Sequence, residues 1–225
     1  DFEPIHAEEV FYLWLAGLTS DDATTYKRRL SGEAFSAQLS MVKTVLGLPK
    51  LARAAVAAFE ERRGNGRVAK FLRIVGRKPV EDYWDLVARR SELRREVLDS
   101  WNEAGIDAVV CPPHATPAMG HRESADFAFS VSYMFRYSLL NYPAGVVPVT
   151  RALPSDVTPA SQDADRIDRK KAGIDADSVG LPVGVQVVAR PYREDIALAV
   201  MKSLEQGIER DDNFPITPVD PFVVG

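Results

Sequence analysis

Two stretches decide the fold: residues 132–150, SYMFRYSLLNYPAGVVPVT, and residues 178–195, SVGLPVGVQVVARPYRED. In each, a turn of small residues and proline launches a valine-rich run. Pro143-Ala144-Gly145 opens the run at 145–150, and Gly180-Leu181-Pro182 opens the run at 183–188. Small residues at such turns allow close backbone approach. A third run, DAVVC at 107–111, precedes both. Continuous valine content predicts strands covered on both faces, as in an α/β protein. Helical periodicity marks residues 131–140. It also marks 193–208, where Ala197, Val200, Met201, Leu204 and Ile208 share a face. Residues 152–178 are polar and rich in Ser, Asp and Lys, which predicts a surface loop or insertion.

Towards the N-terminus the texture becomes helical. Val10, Phe11, Trp14, Leu15 and Leu18 recur at helical spacing over 7–18, with Glu8 and Glu9 at the favourable end of the dipole. Thr19-Ser20-Asp21-Asp22 breaks this helix and can cap the next. Residues 36–76 read as a run of short, Ala-rich helices. Pro49 opens one of them, with Leu48, Leu51, Ala55, Ala58 and Phe59 on one face. Over 49–78, nine basic residues stand against Glu60 and Glu61, a local net charge of +7. Residues 79–104 read as one long helix. Pro79 lies in its first turn, Leu86, Leu93, Val97, Trp101 and Ala104 are in phase, and Gly105 ends it.

The chain has 225 residues, a formal net charge of −4, 46% hydrophobic and 27% charged residues. These are ordinary globular values and exclude disordered and fibrous classes. A single cysteine, Cys111, rules out an internal disulfide and suits a reducing compartment. No uninterrupted apolar run has the length of a membrane span, and the first residues have neither the basic start nor the cleavage site of a signal peptide. A chain that begins Asp1-Phe2-Glu3-Pro4 without methionine reads as a piece of a longer protein.

Several motifs suggest chemistry and fall short of it. Ser40-Met41-Val42-Lys43 has the S-x-x-K spacing that sets a lysine beside a serine hydroxyl, but no S-D-N or K-T-G partner accompanies it. A solvated helix face is the expected reading. Cys111, His114 and His121 match no zinc spacing, so no metal is expected, and Cys111 reads as a buried structural thiol. No G-x-S-x-G elbow, P-loop or G-x-G-x-x-G occurs. Sparse aromatics in the basic run and an acidic whole-chain balance argue against nucleic acid.

Taken together, the segments at 132–150 and 178–195 resemble the C-terminal part of amidase-signature serine hydrolases, nearest the fatty-acid-amide-hydrolase branch. WNEAGIDAVVCPP at 101–113 is similar to the helix-to-strand entry of that half, and LGLPKLARAAVAAF at 46–59 to its helical membrane cap. The resemblance covers nearly the whole chain. It implies an α/β fold in which 1–105 is mainly helical, with the cap-like part at 36–76. Residues 106–225 then carry strands and helices of a mixed central sheet, with the polar loop at 152–178.

The resemblance also implies a mechanism. A serine attacks an amide carbonyl, a second serine in a cis peptide relays its proton, a lysine is the base, and backbone N–H groups hold the oxyanion. In the family these residues sit in a Gly/Ser-rich signature with the lysine upstream. This chain contains no Gly-Gly and no Ser-Ser dipeptide, so no catalytic residue is assigned to it. What carries over is substrate contact: Phe59 at the end of the cap-like helix, Val131 and Tyr133 before the Pro-Ala-Gly turn, and Tyr192 after the last strand. Tyr192 departs from the Trp expected there.

The implied partners are a small amide substrate and the N-terminal half of the same protein, with a homodimer left open and no cofactor. The alternative is a non-catalytic acyl-chain-binding or split-subunit module. The alanines at 52–58 depart from the Leu and Trp of a strong membrane cap, while the +7 stretch attracts anionic lipid. The expected location is cytoplasmic, with weak, salt-sensitive association at a membrane surface.

Overall fold

The computed structural model describes residues 2–34, 36, 40–121, 123–124, 127, 130–161, 166–208 and 211–214. The chain divides into two compact units, Asp1–Ala104 and Gly105–Gly225.

The first unit carries α1 (Ala7–Leu18), α2 (Thr24–Arg29), α3 (Ser40–Gly47), α4 (Lys50–Arg62), α5 (Gly66–Ile74) and α6 (Val80–Glu103). Helix α1 buries Val10, Phe11, Tyr12, Leu15 and Ala16 and packs on α6, which buries Leu93, Val97 and Trp101. Leu18, in phase with the apolar residues of α1, is exposed at its last position, where the chain turns away at Thr19. Polar clasps frame this contact. The Arg89 guanidinium donates to Glu9 at 2.6 and 3.0 Å, to Glu96 at 2.9 Å and to Glu92 at 3.1 Å. Its hydrogen bonds hold the Glu9 carboxyl below the ordinary carboxylate range. Asp21 caps α2 by accepting the Thr25 N–H at 2.9 Å, which holds its own carboxyl low as well.

Helices α4 and α5 pack through Ala57, Ala69 and Leu72, with Val45 and Phe71 against them. The face of α4 that carries Leu51 and Phe59 is turned outward: Leu51 is 86% and Phe59 56% exposed, while Arg53 and Ala57 are buried. Alanine at the seam lets the two helices approach closely, so the larger side chains are left on the far side. The α5–α6 turn is pinned to the end of α1. The Thr19 hydroxyl donates to the Leu15 carbonyl and accepts the Gly76 N–H at 3.2 Å, and the Lys78 N–H donates to the Ser20 carbonyl at 3.0 Å. Arg53 is buried against Gly76, whose φ is +104°, and reaches Asp22 at 3.5 Å.

The second unit carries β1 (Ala108–Cys111), α7 (Ser132–Leu140), β2 (Ala144–Arg151), a 3₁₀ turn (Pro154–Asp156), α8 (Arg166–Asp177), β3 (Pro182–Ala189) and α9 (Glu194–Ile208). The three valine runs form one sheet in the order β1-β3-β2, antiparallel throughout. Gln186 faces Cys111 on one side and Val146 on the other. Helix α9 lies on this sheet and covers β2 most heavily. The runs are not covered on both faces as expected: Val110 is 49% and Val146 50% exposed, both on outer strands.

Residues 152–178, expected as a polar loop, include α8, and 162–165 lie outside the described residues. The helix is anchored by Ile174 and Ser178, both fully buried, with the Ser178 hydroxyl donating to the Asp175 carbonyl at 2.9 Å. One buried isoleucine in a helix of twelve residues, most of them charged, is too sparse a pattern for periodicity to register.

Candidate functional site

The proline-gated turns stand at opposite ends of the antiparallel β2–β3 pair, Pro143 beside Ala189 and Pro182 opposite Arg151. Asn141, in the left-handed region at φ 57°, stops α7, a conformation that Asn tolerates better than most residues. The chain then runs through Tyr142-Pro143 into β2, and the Pro143 carbonyl accepts the Ala189 N–H of β3 at 3.0 Å. The need for a small residue is visible at Gly145, where a Cβ would come within 2.5 Å of the Met201 Sδ on α9. At Gly184 a Cβ would meet Val146 at 2.8 Å and the Val147 carbonyl oxygen at 3.1 Å.

Within the sheet, nearer the Pro143 turn, lies a buried polar group. Gln186, nearly fully buried, donates its side-chain N–H to Cys111 Sγ at 3.4 Å. Tyr137 is buried beside Cys111 and packs on Tyr142 with ring centroids 6.3 Å apart. Burial raises both the Cys111 thiol and the Tyr137 phenol above their ordinary values, against the opposing charge of Arg136. A thiol held protonated and half-buried is a packing group rather than a nucleophile. Sequence reading named Cys111 but missed Gln186. The available signal was one amide inside an otherwise apolar strand, VGVQVV.

The four candidate contact residues fall in two places. Val131 is the N-cap of α7 and Tyr133 its second residue, partly exposed. Tyr192, 84% exposed, has a left-handed φ of 63° in a turn closed by Arg193 N–H to Arg190 O at 3.0 Å. That turn is clamped: Arg190 donates twice to the Ile106 carbonyl, at 2.8 and 2.6 Å, and Arg193 forms a two-point pair with Asp195 at 2.9 Å. A β-carbon residue in this region is held there by such surroundings. Phe59 belongs to the first unit, where it lies on the exposed face of α4 with the Arg63 guanidinium 5.5 Å from its ring.

The remaining candidate groups engage locally. His114 Nδ1 lies 3.1 Å from the Thr116 backbone nitrogen and 3.0 Å from its hydroxyl, so the ring is engaged by its near neighbour in sequence. Among the described residues, no three His, Cys, Asp or Glu side chains converge on a metal position. Ser40 and Lys43 lie one helical turn apart on α3, but the Ser40 side chain is outside the described residues. From outside the +7 stretch, Asp22 meets Arg53 at 3.5 Å and Glu8 meets Lys70 at 2.8 Å; within it, Arg63 pairs with Glu60 at 3.9 Å and Arg73 with Glu61. Among the described residues, no helix is long and apolar enough to cross a membrane.

Comparison with known proteins gives a consistent result. A family model described as Amidase matches residues 2–198. The fatty-acid amide hydrolase 1 of Sus scrofa is 31% identical over 205 residues, covering 89% of this chain and 35% of that protein. The fatty acid amide hydrolase 1 of Caenorhabditis elegans is 36% identical over 130 residues, 56% of this chain and 22% of that protein. A solved structure of a fatty acid amide hydrolase aligns with a TM-score of 0.65 at 17% identity, over 92% of this chain and 33% of its own, a likeness of fold. The chain therefore spans about a third or less of the length of these relatives.

Proposed function

Since this chain belongs to the amidase family, we propose that the whole protein hydrolyses the C–N bond of lipophilic amides and that this chain supplies scaffold and channel walls. The family match over 2–198, on a chain with neither Gly-Gly nor Ser-Ser, carries this reading. In it, a serine activated through a second serine in a cis peptide and a lysine base attacks the amide carbonyl. All three lie on polypeptide outside these 225 residues. In this reading Val131, Tyr133 and Tyr192 contact the substrate from the second unit, and Phe59 is a separate candidate contact on the first. The half-bare valines of β1 and β2 support a further partner, the N-terminal half of the protein, laid along the outer strands. Two copies of the whole protein can pair as a homodimer.

The test is a serine-reactive fluorophosphonate probe with an aryl-amide assay. Residues 1–225 alone should show neither labelling nor turnover. The same chain joined to the family's signature segment should show both, with the labelled serine outside 1–225. Labelling of a serine within 1–225 refutes the assignment.

The outward face of α4, with Leu51, Val56 and Phe59 exposed, supports peripheral membrane contact. Alanines limit the apolar area, and the pairs of Arg53 with Asp22 and of Lys70 with Glu8 reduce the basic stretch's pull on anionic lipid. Liposome flotation should therefore recover the chain with anionic vesicles at low salt and lose it at about 0.5 M salt, where the screening length falls to a few ångströms. No recovery at low salt sinks this contact.

A further inference from the structure

One face of α8 lines a groove that neither the sheet nor the channel reading uses. Asp168, Lys171, Ala172 and Asp175 follow one another at the three- and four-residue spacing of a single helix face. Opposite them runs the segment Thr158, Pro159, Ala160 and Ser161, and the space between is about 270 Å³. That is room for roughly nine waters, or for one small molecule, at about 30 Å³ each. The lining side chains include two carboxylates, one ammonium and two hydroxyls, net acidic by count, beside the apolar Pro159, Ala160 and Ala172.

Asp175 is placed poorly for stability. Its side chain is only 9% exposed, so its charge has lost most of its water. It sits in the last turn of α8, where the helix dipole disfavours a carboxylate and no basic residue offsets it. Its partner is Lys171 Nζ at 2.6 Å, in the order Lys then Asp along the helix, the weaker orientation for a four-residue pair. Lys171 itself is half-exposed and can swing clear. A carboxylate accepts several donors, and one bond to Lys171 leaves capacity.

We propose that this groove binds a small primary alkylammonium ion, whose NH₃⁺ displaces that of Lys171 at Asp175 while its chain lies against Pro159, Ala160 and Ala172. Lys171 then acts as the resident occupant, and the site is independent of the amide-hydrolase reading.

Butylammonium chloride titrated into the full 225-residue chain, followed by amide chemical shifts, tests this. Saturable shifts on 158–161 and 168–175 with a millimolar Kd are expected, in line with a ligand of a few heavy atoms. Butanol, which lacks the charge, should not shift them. Asp175→Asn should weaken binding by about tenfold or more. Lys171→Ala should tighten it about threefold to tenfold, because the competing ammonium is gone. The second variant keeps the test decisive if the first fails to fold. No saturable shift up to about 50 mM with either the native chain or Lys171→Ala overturns the proposal. So does equal binding by a folded Asp175→Asn, or weaker binding by Lys171→Ala.

Discussion

Replacing Gly76 with alanine is expected to lower the unfolding free energy by about 3 kcal/mol, read as a fall in the urea midpoint. Two terms add. A side chain at φ +104° costs about 1–2 kcal/mol, because this backbone region is comfortable only for glycine. The new Cβ would also stand 2.1 Å from Arg53 Nη2 and 2.5 Å from its Cζ, so the guanidinium must leave. Ordinarily the far end of an arginine moves cheaply. Here Arg53 is buried, beside a Lys78 whose ammonium is depressed by burial and by the Arg53 and Lys50 charges. Displacing it loosens the Asp22 pair and disturbs the turn that Thr19 and Ser20 hold. The two terms separate in a double-mutant cycle. With Arg53→Met already in place, Gly76→Ala should cost only the backbone share, about 1–2 kcal/mol. An undiminished cost would mean that the guanidinium is not what Gly76 accommodates.

Trp101→Ala should be at least as damaging, at about 4 kcal/mol. Trp101 is 1% exposed on the inner face of α6 and meets the Phe2 ring edge-on at 6.1 Å. Removing the indole loses its transfer energy and leaves a void that Leu93 and Val97, fixed one and two turns away on the same helix, cannot fill. Phe2 loses its aromatic partner too, so the N-terminal residues ahead of α1 should become more protease-sensitive than the rest of the unit. Trp101→Phe, which keeps an aromatic surface, should recover more than half of the loss. If alanine and phenylalanine behave alike, the cavity argument fails. Both series are best followed by circular dichroism, since Trp14 and Trp84 share the fluorescence.

The strands were legible because Val109–Val110, Val146–Val147 and Val187–Val188 have no competing helical period. Their antiparallel sense was not, since a run of valines says that a strand is buried and nothing about direction. The stripe of α4 was legible as a face, while which face of α4 is buried was not. Periodicity tells which side chains travel together, while the seam goes to whichever face permits the closest approach, here Ala57 against Ala69. Helix α8 escaped because one isoleucine and one buried serine hold it. Of the candidate contacts, Val131 and Tyr133 were adjacent by necessity. The clamped turn beneath Tyr192 depends on Arg190 reaching Ile106, a contact across most of the second unit's sequence that no local pattern announces. The pairing of Gln186 with Cys111 is likewise a matter of register.

The strand order has a consequence for biosynthesis. Among the described residues the last strand, β3, is the middle one, so β1 and β2 pair with it and not with each other. As the chain leaves the ribosome, Val109 and Val147 lack this partner until 182–189 has emerged, and Val109 then closes on Val188 across more than half of the unit's sequence. Contacts of such sequence separation form slowly, and waiting apolar strands are exposed to aggregation in the interval. Ribosome-stalled chains ending before residue 182 should therefore recruit holding chaperones, and release should follow once β3 and its covering helix α9 are clear of the tunnel.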